Sequence, residues 1–123
     1  MTARPFESIL DGLTRQRWVT AALVVSEQDG IVVESNLQIG QSGDRMAALA
    51  ASLYRKARLS AKAAGLGAVS FMQLEAPNGR ICAVGAGDLV LVVVAAPAVN
   101  VGLVRVELLR AVGELLAIGG EVG

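Results

Sequence analysis

Histidine is missing from this chain of 123 residues, and cysteine occurs once, as Cys82. The first absence removes the usual general base and the most frequent metal ligand. The second excludes an intramolecular disulfide and a cysteine-built zinc site. Aromatic residues make up 3% of the chain, too few for a platform on which bases could stack. Neither sign of charge is in excess, since 11 basic residues balance 11 acidic ones; no overall field draws the chain to nucleic acid or to an anionic membrane. Long hydrophobic runs are also wanting. The longest, LVLVVVAAPAV over 89–99, is bracketed by Asp88 and Asn100 and contains Pro97, far short of the roughly 20 residues of a spanning helix. In MTARPFESILDG, Glu7 and Asp11 interrupt what would have to be the unbroken core of a signal peptide. Together with a lone thiol, these absences lead us to expect a cytoplasmic protein that binds no metal, cofactor or nucleic acid and inserts into no membrane.

What is present is aliphatic. Hydrophobic residues reach 54% and mean hydropathy is +0.56, so Val, Leu, Ile and Ala must form the core. The length suits one domain over residues 1–123. Residues 5–17 predict a helix, with Pro5 at its start and Phe6, Ile9, Leu10 and Leu13 at helical spacing. The period then changes. WVTAALVVS (18–26) is apolar on both alternating faces, as a strand covered on both sides would be. Asp29-Gly30 turns it into IVVESN (31–36), apolar and then polar like an edge strand. A loop over 37–43 precedes a long helix over 44–65, with Ser42 or Asp44 as its cap and Gly65 and Gly67 as its stop. AVSFMQLEA (68–76), RICAVGAG (80–87) and LVLVVVAAP read as strands, joined at Pro77-Asn78-Gly79 and at Gly87-Asp88. The segment from Asn100 closes the chain as a helix, with Glu107, Arg110 and Glu114 as a polar stripe and Leu108, Val112 and Leu115 facing inward.

The order is therefore α-β-β-α-β-β-β-α, an α+β sandwich. The two strands that are apolar on both faces, 18–26 and the one from 88, belong at the centre and next to each other. Their hairpin partners flank them, and 68–76 forms an outer edge. The long helix covers one face of the sheet and the terminal helices the other.

Segment 44–65, DRMAALAASLYRKARLSAKAAG, carries Arg45, Arg55, Lys56, Arg58 and Lys62 against Asp44 alone. On a helical projection, Met46, Leu49, Ala50, Leu53, Tyr54, Ala57, Ala61 and Ala64 share the arc expected to face the sheet. The reverse arc holds Ala48, Ala51, Ser52, Arg55, Leu59 and Ala63, mixed with Arg58 and Lys62. An ordinary solvated face would be dominated by charge. Exposed alanines are common, but small residues with a leucine among them also suit a twofold pairing of this helix with its copy. On this reading Ala48, Ala51, Ser52, Arg55 and Leu59 form a dimer interface, and Ala51→Arg or Leu59→Glu separates the copies without unfolding them. Arg55, Lys56, Arg58 and Lys62 would then meet an acidic partner surface.

The chain resembles the Roadblock / dynein light-chain family, bacterial MglB-type members above all. The resemblance runs from about Phe6 to Leu116 and rests on FESILDGL, ALVVSEQDGIVVES, GDRMAALAASLYRKA and GDLVLVVVAAPAVNVGLVRVELLRA in this element order. It implies a five-stranded, mainly antiparallel sheet ordered 2-1-5-4-3. It also implies a homodimer in which the long helices pair and the outer strands join two sheets. Members of this family regulate or scaffold small Ras-like GTPases or attach to larger assemblies such as dynein, and MglB-type members accelerate GTP hydrolysis without inserting an arginine finger. The implied role is thus a non-catalytic regulator of a Ras-like GTPase; the alternative is a purely structural, cargo-linking scaffold.

Other constellations have simpler explanations. Gly85-Ala86-Gly87-Asp88 lacks the spacing of a nucleotide loop and reads as a hairpin turn. Glu34 and Glu75 read as solvated strand residues rather than a catalytic carboxylate pair. Cys82, with no histidine to activate it, reads as core, and Trp18 as a cover for the core or a helix end.

Overall fold

The computed structural model describes residues 4–37 and 43–122, with side chains as far as Ile118. Its elements are α1 (Glu7–Thr14), β1 (Val19–Ser26), β2 (Val32–Leu37), α2 (Gly43–Ala63), β3 (Met72–Ala76), β4 (Gly79–Ala86), β5 (Leu89–Ala95) and α3 (Val101–Val122). The expected order is reproduced. Strand 68–76 is shorter than its apolar pattern implies, and the first helix stops at Thr14 rather than 17. The proposed cap Ser42 lies outside the described residues.

The five strands form one antiparallel sheet in the order β2-β1-β5-β4-β3. The two doubly apolar strands do lie side by side at its centre, Leu23 opposite Val92 and Val25 opposite Val90. Alternation along them sends side chains to two separate cores. Ala22, Val24, Leu91 and Val93 meet Leu10, Leu13, Leu108 and Leu115 from α1 and α3. Ala21, Leu23, Val25, Val90 and Val92 meet Ala47, Ala50, Ala51 and Tyr54 from α2. Cys82 is fully buried in the first core, and that burial pushes its thiol pKa up.

Several ends are fixed by polar side chains. Asn100 Oδ1 accepts from Leu103 N at 3.1 Å and caps α3. Asp29 Oδ1 accepts from Ile31 N at 3.0 Å in the β1–β2 turn, and this bond, with help from Ser26, holds the Asp29 carboxyl below its ordinary pKa. Glu34 departs from expectation. Its side chain is only 9% exposed, because β2 passes beside the start of α1 and Glu34 Oε1 accepts from Phe6 N at 3.3 Å. It serves the positive end of α1, with Arg4 Nε 3.8 Å from its other oxygen. Glu75 is exposed as expected and pairs with Arg80 at 3.2 Å.

Candidate functional site

α2 is 21 residues long and lies across β1, β2, β4 and β5. Its rotation about its own axis differs from the expected one by roughly a quarter turn, judged at 100° per residue. The line facing the sheet is Ala47, Ala50, Ala51 and Tyr54. Leu49, expected to face inward, is 56% exposed. Ala51, assigned to the dimer interface, is 1% exposed and belongs to the chain's own core. Ala51→Arg therefore disrupts the fold rather than merely separating two copies. The physical reason is the close seat that alanines allow. Tyr54 fills the space above Gly85, where an added Cβ would overlap its hydroxyl and come within 2.8 Å of its ring. At Gly30, whose φ is +70°, an added Cβ would come 3.1 Å from the Ala48 backbone.

The outer surface of α2 consequently carries Ala48, Leu49, Lys56, Leu59 and Lys62, all exposed, with Ser52 half-buried at its edge. Of the predicted dimer residues, Ala48, Ser52 and Leu59 remain on this surface. Arg55 and Arg58 turn instead toward the β1–β2 turn. Arg55 Nη1 donates to the Gln28 carbonyl at 3.1 Å. Arg58 donates to Glu27 Oε1 through Nε at 3.0 Å and Nη2 at 2.6 Å. The Glu27 bond raises the Arg58 pKa further above its ordinary value, and much of this cation's field is met within the chain. Both arginines line an open groove of about 730 Å³ with Ser26, Glu27, Gln28, Gly87 and Asp88. The four predicted basic residues thus split, Lys56 and Lys62 pointing outward and Arg55 and Arg58 bracing the turn.

Beside α2 the same face of the sheet is incompletely covered. Register places Leu74, Ile81, Val94 and Ala21 in one row across β3, β4, β5 and β1. Ala21 is buried under α2, Ile81 and Val94 are half-buried, and Leu74 at the open edge is 44% exposed. Leu74, Ala76, Gly79, Ile81 and Val94, with Arg80, line an apolar groove of about 220 Å³. β3 offers its outer backbone edge directly alongside. Sequence reasoning finds the outer strand but not this row, whose signal is the alternation in MQLEA set against ICAV. The outer face of α2, the row and the edge lie on the same side of the sheet. Among the described residues there is no group of three or more His, Cys, Asp or Glu able to hold a metal ion, and no helix is long and apolar enough to cross a membrane.

Comparison with known proteins gives a consistent picture. A Roadblock/LC7 domain from Streptomyces avermitilis has a TM-score of 0.80 at 25% identity, over 89% of this chain and 92% of that one. Myxococcus xanthus MglB superposes with a TM-score of 0.86 at 22% identity, covering 98% and 99% of the two chains. The gliding protein MglB from Thermus thermophilus gives 0.82 at 21%, covering 98% and 95%. At these last two identities the likeness is one of fold. An uncharacterized protein of Methanocaldococcus jannaschii is 28% identical over 112 residues, 91% of this chain and 97% of its own. Residues 5–95 match the family model described as Roadblock/LC7 domain, and the chain belongs to that family.

Proposed function

We propose that the chain is a single Roadblock domain over 1–123 acting in the cytoplasm as a non-catalytic, homodimeric regulator or adaptor of a small Ras-like GTPase. The observation that carries this reading is the half-covered row Leu74–Ile81–Val94 beside the open β3 edge, on the same side of the sheet as α2 with its exposed Leu49 and Leu59. Pairing β3 with its twofold copy would extend the sheet and bring the two α2 helices together over the row. Ala48 and Ser52 are small enough for close approach, and each patch would meet itself. Helices about 30 Å long, with a strand edge added, reach the scale of roughly 800 Å² per partner.

The paired α2 helices then present Lys56 and Lys62 twice over, and the grooves floored by Arg55 and Arg58 flank them. Two such clusters suit an acidic surface on the GTPase and steer its approach. The MglB-type neighbours in the fold comparison support the choice of a GTPase as partner.

Sedimentation at micromolar concentration tests the dimer: at least twice the chain mass is expected, and Leu59→Glu lowers it with the circular dichroism unchanged. A chain whose mass does not respond to Leu59→Glu refutes the interface. For the partner, a Ras-like GTPase encoded beside this chain is loaded with GTP and mixed with it, following complex formation and phosphate release. Faster release identifies an activator. Binding without acceleration favours the scaffold, and no binding refutes the GTPase assignment.

A further inference from the structure

Trp18 joins α1 to β1 with φ +73°, a backbone that glycine takes freely and an aromatic residue rarely does. The corner is fixed on both sides: Val19 N donates to the Gln16 carbonyl at 3.1 Å, and Ala96 N to the Trp18 carbonyl at 2.8 Å. Strain of this kind persists only where the surrounding structure enforces it, and it clusters at binding sites. The ring is 46% exposed, and Arg17 lies over it, 5.1 Å from its centre. With Leu103, 48% exposed at the start of α3, the ring forms the rim of a groove of about 240 Å³ floored by the buried Val99 and Val104. That is room for one large side chain; cavities for drug-sized ligands begin near about 300 Å³.

We propose that this groove is a docking notch for an acidic segment of a partner protein, which sets one large apolar side chain between Trp18 and Leu103 and a neighbouring carboxylate on Arg17. Charge decides the occupant. The two segments that build the groove, 12–26 and 89–106, carry Arg15, Arg17 and Arg105 and no acidic residue. Arg15 and Arg17 are exposed, and among the described residues neither forms an ion pair. Arg105 is turned away, over the Phe71 ring at 5.8 Å. Glu107, the nearest acid along α3, faces Arg110 at 3.6 Å. The amide end of α3 is not the attraction, because Asn100 Oδ1 already takes Leu103 N. A guanidinium lying on an aromatic ring keeps its N–H edge free, and that edge forks onto a carboxylate. Arg17 is therefore held in place without being used up inside the chain. A concave notch lined by one cation suits a peptide side chain; an anionic membrane is met by a cluster of several cations. The groove is built from the α1–β1 corner, the β5–α3 loop and the first turn of α3. It shares no residue with the α2–β3 surface and stands whether or not that surface pairs.

The probe is a ten-residue peptide with one central leucine among aspartates and glutamates, titrated against the full chain. Two readings are expected together. The labelled peptide shows a saturable rise in fluorescence anisotropy that weakens with salt, and the unlabelled peptide shifts the emission of Trp18, the only tryptophan in the chain. Arg17→Glu should weaken binding by about tenfold or more. A peptide with lysines in place of the acids should then bind that variant better than it binds the native chain. Leu103→Ala, at an exposed position, should weaken binding with the circular dichroism unchanged, and so should Trp18→Gly, on a backbone that suits glycine. Absence of a saturable response overturns the proposal. So does anisotropy that rises while the Trp18 emission stays still, which places the peptide elsewhere on the chain, and so does undiminished binding by Arg17→Glu. An emission shift with phosphatidylserine vesicles and none with the peptide reassigns the corner to a lipid surface and overturns it equally.

Discussion

On one face of the sheet the contact is made by leucines and a phenylalanine from α1 and α3 and the turn before α1; on the other it is made by alanines and one tyrosine from α2. The first face gains its stability from volume, since each buried leucine removes much apolar area from water. The second gains little per residue and depends on closeness. Alanines let α2 sit low on β1 and β5, glycine at position 85 makes room for Tyr54, and Gly30 admits the α2 backbone at Ala48. The difference teaches why α2 leaves leucines outside. With its inner line given over to small residues, Leu49 and Leu59 face outward.

Truncation in the two cores measures that contrast most directly. Leu108→Ala, at a fully buried site on the α3 face, should cost about 2–5 kcal/mol in denaturant unfolding. Ala50→Gly on the α2 face should cost only about 1 kcal/mol, the helix-propensity difference; equal losses would abolish the distinction. Overpacking should reverse the ranking. Gly85→Ala pushes a methyl group into Tyr54 and is expected to cost about 1–3 kcal/mol, with Tyr54→Leu relieving part of it in a double-mutant cycle.

A smaller effect sharpens the role of Tyr54. Desolvation raises its phenol pKa above 10.0, and the Glu27 charge adds to the rise. A group with a raised folded pKa contributes stability below its unfolded pKa and loses it as pH climbs through the folded one. Unfolding free energy should therefore fall as pH passes the ordinary tyrosine range, and Tyr54→Phe, in a chain with no other tyrosine, should flatten that fall. The smallest effect belongs to the ion pair at the β1–β2 turn, where Arg58 is 41% and Glu27 15% exposed. Glu27→Gln should barely move the melting temperature and should do so less at high salt, while loosening Arg58 from the turn.

Much of the architecture is legible in the sequence. Strands apolar on both faces can only be central, and β1 and β5 carry that pattern without a break, so their place side by side follows once the hairpins are set. The rotation of α2 is not legible. Its alanines spread around the whole helix, and a period shared by several arcs cannot say which one meets the sheet. The helical projection puts Ala51 outside and Leu49 inside for that reason, and the structure reverses both. The role of Glu34 is hidden in the sequence because its capping partner, Phe6 N, is 28 residues distant. Trp18 reads as a cover for the core or a helix end. It is 46% exposed and lines a groove with Asn100 and Leu103 at the start of α3, as a cover for a helix end would, but at φ +73°, an uncommon backbone for an aromatic residue, with Arg17 5.1 Å from its ring centre.

By itself the sequence determined the elements, the central pair of strands and the division of the apolar residues between two sides of a sheet, because periods of two and of about 3.6 are properties of the local chain. Only the tertiary structure decided which arc of α2 is buried, which arginines are spent on the chain's own turns, and which apolar residues stay uncovered beside β3 and at the start of α3. Those depend on the distance between elements far apart in sequence, set by the sizes of the side chains that happen to meet.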